Sequence, residues 1–123
     1  MNSKNKLNIL LFSPTPPPIG GISTWTINYI SKQSSLNNVD LIDISKRTRI
    51  RIKHISQFIR TVRILIDTYK ILKKGNYDLV HINSACSKYG MIREIIICSM
   101  IKRKKNISIF LHCHCDISKY INN

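Results

Sequence analysis

The sequence is poor in acid. Only 6 of its 123 residues are Asp or Glu, against 20 Lys or Arg, for a formal charge of +14. Glu94 is its one glutamate and Ala85 its one alanine. Long apolar runs are missing too. The densest, residues 95–101, falls far short of the roughly 18 residues a membrane span requires. The start leads into a brief apolar run, residues 7–12, which prolines interrupt with no small-residue cleavage site after them. A secretory signal is therefore not expected, and the chain reads as cytoplasmic. Cys86, Cys98, Cys113 and Cys115 do not make the disulfide framework of a small secreted domain. Aromatics are sparse at 7%, and no nucleic-acid-binding motif is present, so no nucleic-acid partner is expected.

What is present points to one small folded domain. At 43% hydrophobic residues the chain is no disordered basic tail. Its length supports one core that buries roughly two-thirds of the unfolded surface. The 24 isoleucines and 11 asparagines suit an AT-rich genome, which inflates Lys over Arg without functional cause. That bias does not explain the lack of Glu or the clustering of charge. Residues 46–74 hold ten basic side chains, and 102–105 hold four more. Such clusters favour an anionic partner, or else form a solvated face.

Periodicity gives the order β-α-β-α-β-α-β. Strands are expected at 6–13, 39–44, 77–83 and 106–112, and helices at 22–33, 54–74 and 90–101. Residues 14–21, Pro-Thr-Pro-Pro-Pro-Ile-Gly-Gly, form a loop. In the second helix Ile55, Phe58, Ile59, Val62, Leu65, Ile66, Tyr69 and Leu72 recur at three- and four-residue steps, an apolar stripe expected to face the core. Apolar strands alternating with helices predict a Rossmann-like α/β fold: a parallel sheet of about four strands with helices on both faces. Right-handed crossovers then bring residues 14–21, 45–47, 83–88 and 112–116 to one sheet edge, where open sheets bind ligands.

Three features could carry chemistry. Gly20 and Gly21 open the first helix, whose free N–H groups and partial positive charge suit a phosphate. They match neither a dinucleotide fingerprint nor a P-loop, and a tight turn needing small residues explains them as well. The run Leu111-His112-Cys113-His114-Cys115-Asp116 has zinc-ligand residues. An extended strand sends the histidines one way and the cysteines the other, so no metal site is expected. A histidine at a strand's C-terminal end suits polar contact or acid–base work, with a core histidine as the alternative. Cys98 reads as inert core and His81 as buried. The third feature is the basic link Lys46, Arg47, Arg49, Arg51 and Lys53, continued by the amphipathic helix. Each basic residue near an anionic bilayer contributes roughly 1 kcal/mol, so the patch could hold a domain on a membrane without spanning it.

Taken together, these residues resemble the N-terminal domain of family 4 glycosyltransferases, which adopt the two-domain GT-B fold. Residues 6–26 are similar to that family's first strand, proline-glycine loop and first helix. Residues 78–83 resemble its "D-hydrophobic-V-H" strand, and 110–116 its later strand ending in histidine. The resemblance implies transfer of a sugar from a nucleotide-sugar donor to a glycan or lipid-linked acceptor, with retention of configuration and no cofactor. It puts Gly20 and Gly21 near the donor diphosphate, and His114, or else His112, near the reacting sugar. Cys115 stands where the family often has glycine. The basic segment 46–74 lies where the family's N-terminal surface meets membranes or lipid-linked acceptors, which implies a peripheral place on the inner membrane face. The family's second domain supplies most donor contacts, including a pair of glutamates. Nothing in these 123 residues matches it, and even the N-terminal domain stops after its fourth strand. The expectation is an incomplete N-terminal domain, inactive alone, that needs a separate donor-binding domain as partner. The alternative is a noncatalytic membrane-associated or protein-binding α/β module.

Overall fold

The computed structural model describes residues 5–46, 51–84, 86–104 and 106–114. Four strands and three helices alternate: β1 (Asn8–Ser13), α1 (Gly21–Gln33), β2 (Asn38–Asp43), α2 (Lys53–Lys74), β3 (Leu79–Ser84), α3 (Lys88–Lys102) and β4 (Ser108–Cys113). The strands form one parallel sheet in the order β2-β1-β3-β4. The fold is therefore the Rossmann-like α/β arrangement that the sequence predicts, and element ends differ by a residue or two.

The central strands are apolar because both their faces are covered. From Ile9 to Ser13, β1 is buried throughout, and β3 is buried from Val80 to Ser84. Leu10, Phe12, Val80 and Ile82 point to one face. There they pack with Ile64 and Leu72 of α2 and Ile97 and Ile101 of α3. The opposite face is covered by α1, whose Thr26 Oγ1 lies 2.6 Å from Ser13 Oγ of β1. The edge strands β2 and β4 are only partly covered, and Phe110 and Leu111 of β4 are half exposed.

One expectation fails in α2. Of the apolar stripe, Ile55, Phe58, Ile59, Val62, Ile66 and Tyr69 are exposed; Phe58 is 71% exposed. Leu72 is buried and Leu65 packs against the core. The helix instead buries Ser56, Ile64, Thr68 and Leu72, a four-residue repeat. Small Ser56 and Thr68 fit the buried side, and Thr68 donates its hydroxyl to the Ile64 carbonyl at 2.7 Å, which satisfies it without an outside partner. Periodicity identified the helix, but the larger apolar face looks outward.

No helix among the described residues is long and apolar enough to cross a membrane. Cys86 is disulfide-bonded, whereas Cys98 and Cys113 are free thiols. The sequence predicts no secreted-type disulfide framework, and one bonded cysteine, Cys86, stands among the described residues.

Candidate functional site

The strand order places a reversal between β1 and β3. From β1 the chain leaves over one sheet face into α1, and from β3 over the other into α3. The two departing segments diverge, and the gap between them is where ligands bind in open parallel sheets. A crevice of about 390 Å3 occupies that gap. One rim is Pro14, Thr15, Pro18 and Gly20 to Ser23. The other carries Arg60 of α2 with Ser87, Gly90, Arg93 and Glu94 of α3, and Lys46 and Asn83 complete it.

Gly20 and Gly21 lie in this crevice, and their geometry bears on why they are glycines. Gly20 caps α1 in an extended conformation, φ −157° and ψ 174°, which any residue adopts. No described glycine has positive φ. A Cβ on Gly21 would meet nothing within 4 Å. The turn thus needs neither glycine for strain or packing. Having no side chain, Gly20 leaves the first-turn N–H groups of α1 uncapped. Ser23 Oγ instead accepts from the Gly20 N–H at 2.9 Å and reaches back to the Pro18 carbonyl at 3.0 Å. The result is a braced loop with an open helix head.

Below the loop lies a buried polar network. Asn83 Nδ2 donates to Ser13 Oγ at 2.8 Å, Ser13 pairs with Thr26, and Thr26 Oγ1 donates to the Ile22 carbonyl at 2.9 Å. This ties β3 and β1 to the first turn of α1. Asn83 is fully buried, yet its Oδ1 has no hydrogen-bond partner. Across β1 on β2, Asp43 accepts from Thr15 and Ser45, and these bonds outweigh burial and lower its pKa. The opposite rim is cationic. Arg93 is 5% exposed and its Nε lacks a partner, as does Nε of Arg60. Burial, then the nearby Arg60 charge, lowers the Arg93 pKa. Burial raises that of Glu94.

The histidines expected to act on the sugar lie elsewhere at the same sheet edge. His112 and His114 project from β4 and the residue after it toward α1, their ring centroids 4.2 Å apart. Trp25 meets them edge-on at 5.3 and 6.0 Å, and meets buried His81 at 5.4 Å. Cys113 faces the other way, into an apolar groove between α3 and β4. The alternation read from sequence therefore holds for His112, Cys113 and His114. Neither His112 nor His114 lines the crevice, although Trp25 is close along α1 from its rim residues Ile22 and Ser23. Burial, then His112, lowers the His114 pKa. Burial, then His112 and His114, holds His81 down to about 4. The His81 ring is neutral at pH 7.

Of the basic patch, Lys46 lines the crevice, and Arg51 and Lys53 are exposed at the head of α2. Arg47 and Arg49 lie outside the described residues, as do Cys115 and Asp116. Among the described residues no group of three or more His, Cys, Asp or Glu is placed to hold a metal. Sequence reasoning placed Asn83 at the ligand edge as the start of 83–88 without singling it out, and missed Arg60 and Arg93 as site residues. Arg93 had a signal: with Glu94 beside it, it is one of two charges in the largely apolar run 91–101. No protein-family model, curated protein or solved structure matches the chain.

Proposed function

We propose that this domain is the acceptor-side half of a glycosyltransferase that moves a sugar from a nucleotide-sugar donor to a glycan or lipid-linked acceptor. One observation carries the reading: Gly20 and Gly21, which the fold does not require, stand at an uncapped helix head in the crevice between β1 and β3. In such transfer, negative charge builds on the departing diphosphate as the glycosidic bond breaks. Backbone N–H groups at the head of α1 suit that charge, and the Ser13–Thr26–Asn83 network keeps the helix head aligned without reorganisation. On this reading His114, with His112 stacked on it, hydrogen-bonds the sugar from the β4 side. A neutral ring both donates and accepts there. A donor-binding domain completes the cleft, on this polypeptide or on another.

A second observation favours membrane association within the same reading. The outward apolar face of α2 is flanked by Lys53, Lys70, Lys73 and Lys74, all exposed. An apolar helix face with a basic border suits the interface of an anionic bilayer. We assign the domain to the inner face of the membrane as a peripheral protein. Without catalysis, the same surface would serve a noncatalytic docking module.

The test is a fusion of these 123 residues to a donor-binding domain of a family 4 enzyme, assayed for sugar transfer to lipid and glycan extracts. Transfer is expected from the fusion, and none from the 123 residues alone. Gly21→Val should abolish it, because the added side chain fills space next to the helix head. Transfer indifferent to that substitution would contradict the reading.

A further inference from the structure

The cationic rim is built differently from the glycine rim. Arg93 arises from α3 and is 95% buried, at 5% exposure. Its guanidinium packs by the first turn of that helix, with Nη2 3.7 Å from where a Gly90 Cβ would stand. The head of α3 is already capped, since Ser87 Oγ accepts from the Gly90 N–H at 3.1 Å. Arg60 faces the same space from α2. Neither Nε has a hydrogen-bond partner. Glu94 is the only acidic side chain among the described crevice residues; burial raises its pKa, against a Ser84 hydrogen bond and the Arg93 charge, and it favours the Arg93 cation in return.

Two guanidiniums next to each other, one almost wholly buried, repel, and the neighbouring Glu94 offsets the Arg93 charge only in part. Surplus charge on a surface needs no explanation, but Arg93 is not on a surface. A planar fork of N–H donors matches the oxygens of a phosphate, and two such forks match a dianion. We propose that Arg60 and Arg93 form an anion subsite, distinct from the glycine turn, that takes a phosphate group of the acceptor. The word acceptor rests on the glycosyltransferase reading. If the donor diphosphate occupies the α1 rim, a second phosphate on the α2–α3 rim belongs to the other substrate. That phosphate could be a lipid phosphate or a soluble phosphorylated glycan. The orphan Oδ1 of Asn83, between the rims, is placed to accept a ligand hydroxyl.

The test is thermal unfolding and calorimetric titration of the 123-residue protein with inorganic pyrophosphate, UDP and farnesyl diphosphate, at matched ionic strength. Arg60→Gln, Arg93→Gln, Arg93→Lys and Gly21→Val are compared with the wild type. Pyrophosphate should bind the wild type. Either Gln substitution should weaken it by about tenfold or more, the usual effect of losing a charge-assisted pair. Arg93→Lys should recover part of the loss, and Gly21→Val should leave it intact. Without ligand, Arg93→Gln should unfold at the same or a higher temperature, because it removes a buried charge that Arg60 repels and Glu94 offsets only in part. Should Arg93→Gln fail to fold, Arg60→Gln, at a less buried position, gives the same binding comparison.

Stronger arginine-dependent binding of farnesyl diphosphate than of UDP identifies a lipid phosphate. An arginine-dependent component of equal strength for both, separate from any UDP binding that Gly21→Val removes, identifies a soluble phosphate group. Binding of UDP that needs both the arginines and Gly21 would overturn the acceptor assignment. Absence of pyrophosphate binding, or binding that survives both Gln substitutions, would overturn the subsite itself. Arginine-dependent pyrophosphate binding by a domain whose fusion never transfers sugar would keep the subsite and sink the transferase reading alone.

Discussion

Two glycines on opposite rims of the crevice show how differently one residue type can be used. A Cβ on Gly21 meets open space, whereas one on Gly90 would come within 2.6 Å of the capping Ser87 Oγ. Gly21→Ala should therefore stabilise the fold by about 0.5–1 kcal/mol, through a stiffer unfolded chain and better helix propensity. Gly90→Ala should destabilise it by about 1 kcal/mol, the value of a displaced cap. Urea unfolding midpoints check both signs. His81 supplies a pH dependence. Above about pH 6.5 its ring is neutral in both states. Below that the unfolded chain takes up a proton that the folded state refuses until about pH 4. Stability should fall as pH drops from 6.5 to 4, by an amount on the order of 2 kcal/mol from this ring. His114 adds in the same direction. Asp43, whose pKa is lowered, acts only at the acid end, below the ordinary carboxylate range. Unfolding midpoints at pH 7 and pH 4.5 should lie closer together in His81→Leu than in the wild type; an unchanged gap would contradict this assignment.

Among the elements, α2 separates what a sequence shows from what it hides. Its three- and four-residue apolar spacing located the helix to within one residue. The spacing misled on which face is inside, because small polar Ser56 and Thr68 fit the buried side. Ile64→Ala should cost about 2–4 kcal/mol, as in other buried large-to-small changes. Phe58→Ser and Ile66→Ser should each change stability by less than about 0.5 kcal/mol, as surface substitutions do. Those two changes should instead weaken cosedimentation with anionic vesicles, and added salt should weaken it further. Equal binding to neutral vesicles would rule out the electrostatic part of the membrane proposal. The strands were more legible, since β1 and β3 are buried on both faces and show it as unbroken apolar runs. Gly20 and Gly21 were legible as a loop before a helix. Asn83 was legible only as part of the edge segment 83–88, and Arg60 and Arg93 were not. Their significance comes from burial without partners, which depends on how α2, α3 and β3 converge, and no local pattern encodes that.

For the molecule as a whole, an ordinary parallel α/β sheet organises the chemistry through one topological reversal. The surplus of basic residues is distributed among three environments. Some are exposed at the border of an apolar helix face, one lines the crevice at its mouth, and two arginines point into it. The high charge read from composition therefore does not describe one uniform surface. The histidine–tryptophan cluster stands on the α1 side, next to the crevice but outside it. The account accordingly depends on the crevice between β1 and β3 more than on the histidines. Its central claim is that this crevice, at the glycine turn, receives the diphosphate of a nucleotide sugar. The most direct measurement is an amide NMR titration of the 123-residue protein with UDP-glucose, run alongside Gly21→Val. The account predicts the largest shifts at Gly20, Gly21, Ile22 and Ser23, and their loss in the variant. Shifts confined to the groove between α3 and β4, or a crevice that does not respond at millimolar nucleotide sugar, would contradict it.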